Sequence, residues 1–467
     1  MESKSSVSQL LAHHLSKTKY DHLPAEVIVE TKRAVLDWLG SALAGALEPP
    51  ARMAQAVVST LGKSDEASVF GGGRSAAANA ALANGVSSHI LELDDVHKGS
   101  TLHPAAPIIP AALAVAERLH ADGKSFLLAV VLGYEAALRV GEAVNPSHYK
   151  YWHPTGTAAT FGAAAAAGSL LGLDGPQMLD ALGSAGTQAS GLWEFNSDGA
   201  MSKHLHPGKA AFNGVLAADL ALRGFTGATR ILEGERGFFR ATSESFDESR
   251  ITDGLGHQWK MLENCYKLYS CCGHTHSAID TALDFRAGQG WTADEALEQL
   301  KSLEIETYAT GYEIVKNMHP VTAFQAKFSL AYCAAAGLLE GWVGLEQFSA
   351  GRFDQSGLRD EKIAAVLPRI RISLAADITE KYPAEWGTRM RFTSVDGRVV
   401  NLSASFPRGN PENPVSTQVL EDKFRSLVVP RYSQRLAEAG IEMVRNLVDC
   451  ADMAQAFNGL TQIAEGR

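Results

Sequence analysis

The stretch from Gly156 to Leu173, GTAATFGAAAAAGSLLGL, constrains the fold more than any other part of the chain. Wound as a helix it has small residues almost all round and no polar face. Such a helix has to be buried and closely approached by other helices. It therefore demands several helical partners. Their signals surround it: apolar residues recur at spacings of three and four in VIVETKRAVLDWLGSALAGAL, PIIPAALAVAERLHA, LLAVVLGYEAALRVGEAV and AAFNGVLAADLALRGF. The pattern runs from Glu26 to about Phe225. Pro24 suits a first helical turn, and the glycines of ADG (121–123) and LDG (173–175) read as helix stops.

The signal changes after about residue 265. LKSLEIETYA and RIRISLA alternate as strands do, and MRFTSVDGRVVNLSASF is a hairpin with Asp396-Gly397 at its turn. Helices lie between these strands, and the helical pattern returns after FPRGNPENPVS. The expected fold is mainly α: a large, discontinuous all-helical domain (1–266 and 403–467) and a smaller α+β domain with an antiparallel sheet (267–402). A length of 467 residues fits two domains.

The net charge of −10 and the absence of a basic stripe argue against a nucleic-acid partner. No apolar run reaches the roughly 18 residues that a membrane span needs. The N-terminal MESKSSVSQLLAHHLSKTKY lacks a secretory signal pattern. Five cysteines, an odd number in a large chain, suit a reducing cytosol. The expected compartment is the cytoplasm.

Titratable groups are gathered into islands. ELDDVHKGSTLHPAA places Glu92, Asp94, Asp95, His97, Thr101 and His103 just before an apolar helix, where free N–H groups favour an anion. The plain structural reading is that the acids cap helices, and it suits Asp95. YKYWHPTGT puts Tyr151 and His153 ahead of the small-residue helix. Either a ligand or a capped helix end explains it. SKHLHPGKAA brings Lys203, His204, His206 and Lys209 within seven residues, a basic group in an acidic chain, which is what carboxylate recognition needs. A solvated loop is the alternative. NCYKLYSCCGHTHSA offers Lys267, Cys271, Cys272, His274 and His276, but the adjacent cysteines and HxH lack the spacing of compact zinc sites, so no metal is expected. KNMHPVTAF adds His319 at a helix start. No GxGxxG after a strand, P-loop, GxSxG elbow or HExxH is present, and no cofactor is expected.

Taken together and in order, ELDDVHKGSTLHPAA, WHPTGT, SKHLHPGKAAFNG, KLYSCCGHTH, FSLAY and PRGNPENPVS resemble the MmgE/PrpD family over nearly the whole chain. That family includes 2-methylcitrate dehydratases, cis-aconitate decarboxylases and iminodisuccinate epimerases. The motif forms are most similar to the fungal cis-aconitate decarboxylase branch. The resemblance implies a homodimer and a metal-free site in a cleft between two domains. Its catalytic positions fall on Asp94 (or Glu92), His103, His153, Lys203 and Lys267. Glu92, His97, Thr101, Tyr151, His206, His276 and His319 are candidates for substrate binding.

The implied reactions all make or quench a carbanion beside a carboxylate, so one set of proton carriers and cations serves each. His103 and His153 would move protons, because an unperturbed imidazole titrates near operating pH. Lys203 and Lys267 would hold carboxylates. The expected activity is a lyase on a small di- or tricarboxylic acid, by dehydration or decarboxylation. The alternatives are an epimerase acting α to a carboxylate and a non-catalytic carboxylate-binding protein.

Overall fold

A computed structural model of the chain describes residues 5–354 and 357–464. It divides into two compact units. The first comprises Met1–Ile90, Asp94–Cys265 and Ser416–Arg467, and the second Leu91–Leu93 and Tyr266–Val415.

The first unit is a stack of helices around Ala158–Leu170, which is buried from Ala158 to Gly168. Glycines set how closely its neighbours approach. A Cβ added at Gly162 would lie 2.6 Å from the Gly133 carbonyl oxygen, on the Gly123–Val144 helix. One at Gly214, on the Ser202–Leu222 helix, would lie 2.4 Å from Ala163 Cβ. No larger residue fits at these crossings. The Ala105–Leu119 helix is buried as far as Glu117 and carries Pro110 within it. At the crossing of Ala77–His89 with Ser202–Leu222, a Cβ at Gly85 would lie 2.7 Å from Gly208 Cα.

The helix Thr417–Val428 joins this unit against Ala25–Gly45. Lys423 donates to Asp37 at 2.6 Å, and Phe424 covers Gly40. A buried ion pair, Arg139 with Glu135 at 2.8 Å, helps tie the Gly123–Val144 helix to a distant segment of the chain, because Arg139 also donates to the carbonyls of Asp253 and Gln258. A short hairpin, Ala67–Val69 with Gly73–Ser75, lies within a stretch that the sequence reads as helical almost throughout. Buried Glu117 holds it by accepting from Ser68 N–H and Oγ.

The second unit is built on a four-stranded sheet in the order Ile370–Leu374, Leu300–Thr307, Thr388–Ser394, Val399–Ala404. The hairpin at Asp396-Gly397 forms: Gly397 takes φ +88° and Asp396 accepts from Arg398 N–H. Along Thr388–Ser394 burial alternates, with Met390 and Phe392 inward and Arg389 and Arg391 outward. The inward face packs on His276–Gln289 and Leu330–Glu340, where Phe285 stacks on Phe392 at 3.9 Å. The expected antiparallel pairs are joined by one parallel pair, Leu300–Thr307 with Ile370–Leu374, so the sheet is mixed. The helices between these two strands return the chain in the same direction.

Asp122-Gly123 and Asp174-Gly175 start helices rather than stopping them. Each aspartate is an N-cap, accepting from Ser125 N–H and Gln177 N–H, and the left-handed residues that end the preceding turns are His120 and Gly172. Among the described residues no helix is long and apolar enough to cross a membrane.

Candidate functional site

Four segments of the first unit bring their histidines to one place. His89 is the last residue of Ala77–His89, His103 precedes Ala105–Leu119, His153 precedes Ala158–Leu170, and Lys203, His204 and His206 lie on the first turns of Ser202–Leu222. The His89 ring lies 4.9 Å from that of His103, 5.7 Å from His153 and 6.0 Å from His204, centroid to centroid. His153 faces His206 at 5.3 Å. The glycine crossing explains the approach. His89 is one turn beyond Gly85 and His204 one turn before Gly208, so backbones in van der Waals contact leave the two rings together.

Local bonds fix the remaining members. His103 N–H donates to Thr155 Oγ1 at 3.1 Å, tying the first island to the second. Gly156 leaves room for His206, whose Cβ would lie 3.0 Å from an added Cβ there. Trp193 and Phe195 close over His153 at 5.1 and 5.8 Å.

Partner chemistry assigns the protons. His103 Nδ1 is 2.7 Å from the Asp95 carbonyl oxygen, which can only accept, so Nδ1 carries hydrogen and Nε2 the lone pair. His89 Nδ1 lies 2.6 Å from Asp94 Oδ2 with both side chains fully buried, and it likewise donates to the carboxylate. Asp94 Oδ2 is also 3.5 Å from His103 Nδ1. His153 and His206 meet Nδ1 to Nδ1 at 3.0 Å, so one of them donates to the other. His89, Asp94 and His103 offer three ligand atoms within 4.8 Å of one another, enough for a divalent ion by count. Both Nδ1 atoms face acceptors, so an ion there would have to displace their protons.

Burial decides the charges. His153 is held well below the usual imidazole range by desolvation and by the neighbouring His206, His89, Lys203 and His103. His206 is lowered to about 4, again mainly by burial, with His89, Lys209 and Lys203 opposing its charge. Both are therefore neutral at neutral pH. Burial thus moves His153 away from the range in which an unperturbed imidazole titrates. Asp95 is raised to about 7 by burial, although Tyr134 Oη–H and Ala105 N–H both donate to it. Its carboxylate caps the Ala105–Leu119 helix.

The other candidates lie elsewhere. His97 bonds Ser100 through Nδ1 and Glu263 through Nε2 at 3.1 Å, in a network with Glu142 and Lys260. Thr101, at φ +47°, accepts from Asn145. Tyr151 is 57% exposed. Lys209 donates to Ser190 and Gln188, tying down a loop. In the second unit Lys267 pairs with Glu92 at 3.5 Å, both buried, and Glu92 takes φ +57°, a conformation that a side chain of its size rarely holds. His276 packs on Tyr269 at 5.0 Å, with Nε2 3.3 Å from the Cys271 carbonyl oxygen. His319 is exposed and donates its N–H to Asn317. The sequence reading named neither His89 nor Trp193 and Phe195. His89 ends an alanine-rich helix that reads as core, and only its place before the acidic island hinted at more.

The neutral histidines predict acid lability. Folding lowers the pKa of His206 and of His148, the latter also to about 4 by burial, and lowers His153 further. Groups depressed on folding give stability that is complete above about pH 6.5 and is lost as pH falls toward 4, at about 1.4 kcal/mol per unit of difference. Asp95, raised on folding, acts in reverse: its contribution is present below its ordinary value and fades as pH rises through about 7. His14, also lowered to about 4, adds to the histidine side and sets the expected direction with the other three. The buried carboxyls of Glu117, Glu135 and Asp280, raised like Asp95, reduce the size of the fall. Urea unfolding at pH 7.5, 5.5 and 4.5 should show falling stability, and His148→Gln should flatten the fall. A flat wild-type profile would contradict the assignment.

Two family models match the chain: the MmgE/PrpD N-terminal domain over residues 9–250 and the MmgE/PrpD C-terminal domain over residues 269–449. A cis-aconitate decarboxylase of Aspergillus terreus is 29% identical over 91% of this chain and 89% of its own. A cis-aconitate decarboxylase-like protein of Aspergillus oryzae is 27% identical over 90% of each chain. The cis-aconitate decarboxylase of Homo sapiens is 26% identical over 96% of this chain and 93% of its own.

Proposed function

We propose, for a chain that belongs to the MmgE/PrpD family and is a lyase acting on carboxylic acids, that its reaction is decarboxylation of an unsaturated tricarboxylate of the cis-aconitate type. The observation that carries the reading is the cluster of Asp94, His89, His103, His153, His204 and His206 with buried Lys203 beside it. Relatives named as cis-aconitate decarboxylases, matched along nine-tenths of their length, support the choice of substrate.

The chemistry asks three things of these residues. A cation must anchor a carboxylate, and Lys203 supplies an ammonium in a region that burial keeps poor in water. When the bond to the departing CO2 breaks, its electron pair spreads over the adjoining alkene toward a remaining carboxylate, where positive charge and N–H donors stabilise it. A proton must then reach carbon, and His103 Nε2, its Nδ1 bound to the Asp95 carbonyl, is the donor once that ring is protonated. His153, neutral and enclosed by Trp193 and Phe195, shapes the pocket and offers a hydrogen bond. Lys267 with Glu92 is a second cation proposed to serve turnover, on the strength of its burial and the strained Glu92 backbone. The five cysteines are free thiols, which supports a reducing compartment.

Proton NMR in D2O with cis-aconitate, citrate, 2-methylcitrate and iminodisuccinate, each separately, tests the reading. The expected result is a new alkene signal from cis-aconitate with loss of CO2 and deuterium delivered to carbon. Alkene formation from citrate or 2-methylcitrate with loss of water would make the chain a dehydratase. Deuterium at an α-carbon of iminodisuccinate without a new alkene would make it an epimerase.

A further inference from the structure

We propose that His89 is a positioning residue: hydrogen-bonded through Nδ1 to Asp94, it keeps that carboxylate ionised beside His103, so that His103 is the histidine of the cluster that holds a proton near neutral pH. The inference rests on reading the cluster as the proton-transfer site.

Asp94 is fully buried, and a carboxylate so placed stays ionised only where strong donors meet it. The 2.6 Å contact from His89 has the length of a charge-assisted hydrogen bond. The same Oδ2 atom lies 3.5 Å from His103 Nδ1, so a positive charge on the His103 ring falls within direct reach of the anion. His103 Nδ1–H is already committed to the Asp95 carbonyl, which leaves Nε2 as the nitrogen that gains and loses the proton.

Among the described residues in contact with His103, Asp94 is the carboxylate within ion-pair reach of the ring. The rings of His89 and His153 face it, and His153 is neutral. Lys203, whose charge acts on the neighbouring His153, has the wrong sign for stabilising a cation. The Asp95 carboxylate is engaged by Tyr134 and Ala105, and Thr155 meets the His103 backbone through its hydroxyl. Among the described residues His89 in turn has no hydrogen-bond partner at Nε2, and it is 0% exposed. Its polar contact in the cluster is the one to Asp94.

The test is a titration that needs no substrate. With histidine labelled by 15N, the His103 Nε2 resonance, identified by its loss in H103Q, is followed from pH 5 to 9 in the wild type, H89L and H89N. Leucine removes the donor. Asparagine keeps an N–H near the position of Nδ1 but has no titratable ring. The expected result is a His103 midpoint lowered by about one pH unit or more in H89L and returned toward the wild-type value in H89N. The acid limb of kcat/KM should move with it.

Should H89L not fold, H89Q, whose amide reaches toward the Nε2 position instead, takes its place. A His103 midpoint unchanged by loss of the donor would overturn the proposal. So would an H89N that titrates like H89L, or stoichiometric zinc binding to the wild type that H89N abolishes. A protein inert toward cis-aconitate that still shows the shift and its rescue would remove the decarboxylase reading and leave the role of His89 standing.

Discussion

Replacing His103 with alanine is expected to lower kcat by about 100-fold or more while leaving the thermal midpoint within a few degrees of the wild type. The ring touches His89 and His153 and holds the Asp95 carbonyl, so its loss removes the proposed proton carrier. It is also the edge of the cluster, with a side chain 13% exposed, whereas His89 is fully enclosed. Lys203→Ala should fall as far for a different reason, loss of a carboxylate anchor. The two are separable by kinetics. The lysine variant should raise KM as well as lower kcat, because its contact is made in the ground state and strengthens as charge builds up in the transition state, whereas the histidine variant should act mainly on kcat. Near-wild-type turnover in either variant would remove that residue from the mechanism.

The second large effect concerns stability. Gly208→Val should destabilise the protein by about 3 kcal/mol or more, lowering the thermal midpoint by roughly 10 °C. A Cβ at Gly208 would lie 2.5 Å from the Leu82 carbonyl oxygen and 2.7 Å from Val86 Cγ2. The first of these is backbone and cannot rotate away, so the two helices have to part. Because His89 and His204 lie one turn from that crossing, activity should fall with stability even though no side chain of the cluster is changed. Gly288→Ala is the control. An added Cβ there meets nothing within 4 Å, and the position is helical, so the change should be neutral or slightly stabilising. If Gly208→Val melts with the wild type, close backbone approach is not what assembles the site.

Much of this architecture was legible in the residues, and the particular cases show why. The stretch GTAATFGAAAAAGSLLGL could only be a helix surrounded by others, and Ala158–Gly168 is buried throughout. VDG between two alternating runs could only be a tight hairpin, and Gly397 has the positive φ that such a turn requires. Both are local statements, settled by side-chain size and by backbone sterics within a few residues. The glycines of ADG and LDG misled, because an Asp-Gly pair between helices serves equally to stop one or start the next, and the aspartate's choice of N–H partner decided it. The short hairpin at Ala67–Ser75 was missed because Glu117, the buried acid that holds it, lies 42 residues beyond it.

For the site, the composition and order of the islands determined which residue types were available: imidazoles, an ammonium and carboxylates suited to a carboxylate substrate. Only the tertiary structure decided which of them meet. His103, His153 and His206 come together with His89, which no sequence pattern singled out, while His97 turns to Glu263 and Tyr151 to solvent. It also decided their charge states, since an imidazole that titrates near neutrality in water is forced neutral when its surroundings exclude water and place other cations beside it. A residue's chemistry is written in the sequence. Its partners and its dielectric are set by backbones that approach one another from more than a hundred residues apart, as Gly85 and Gly208 do.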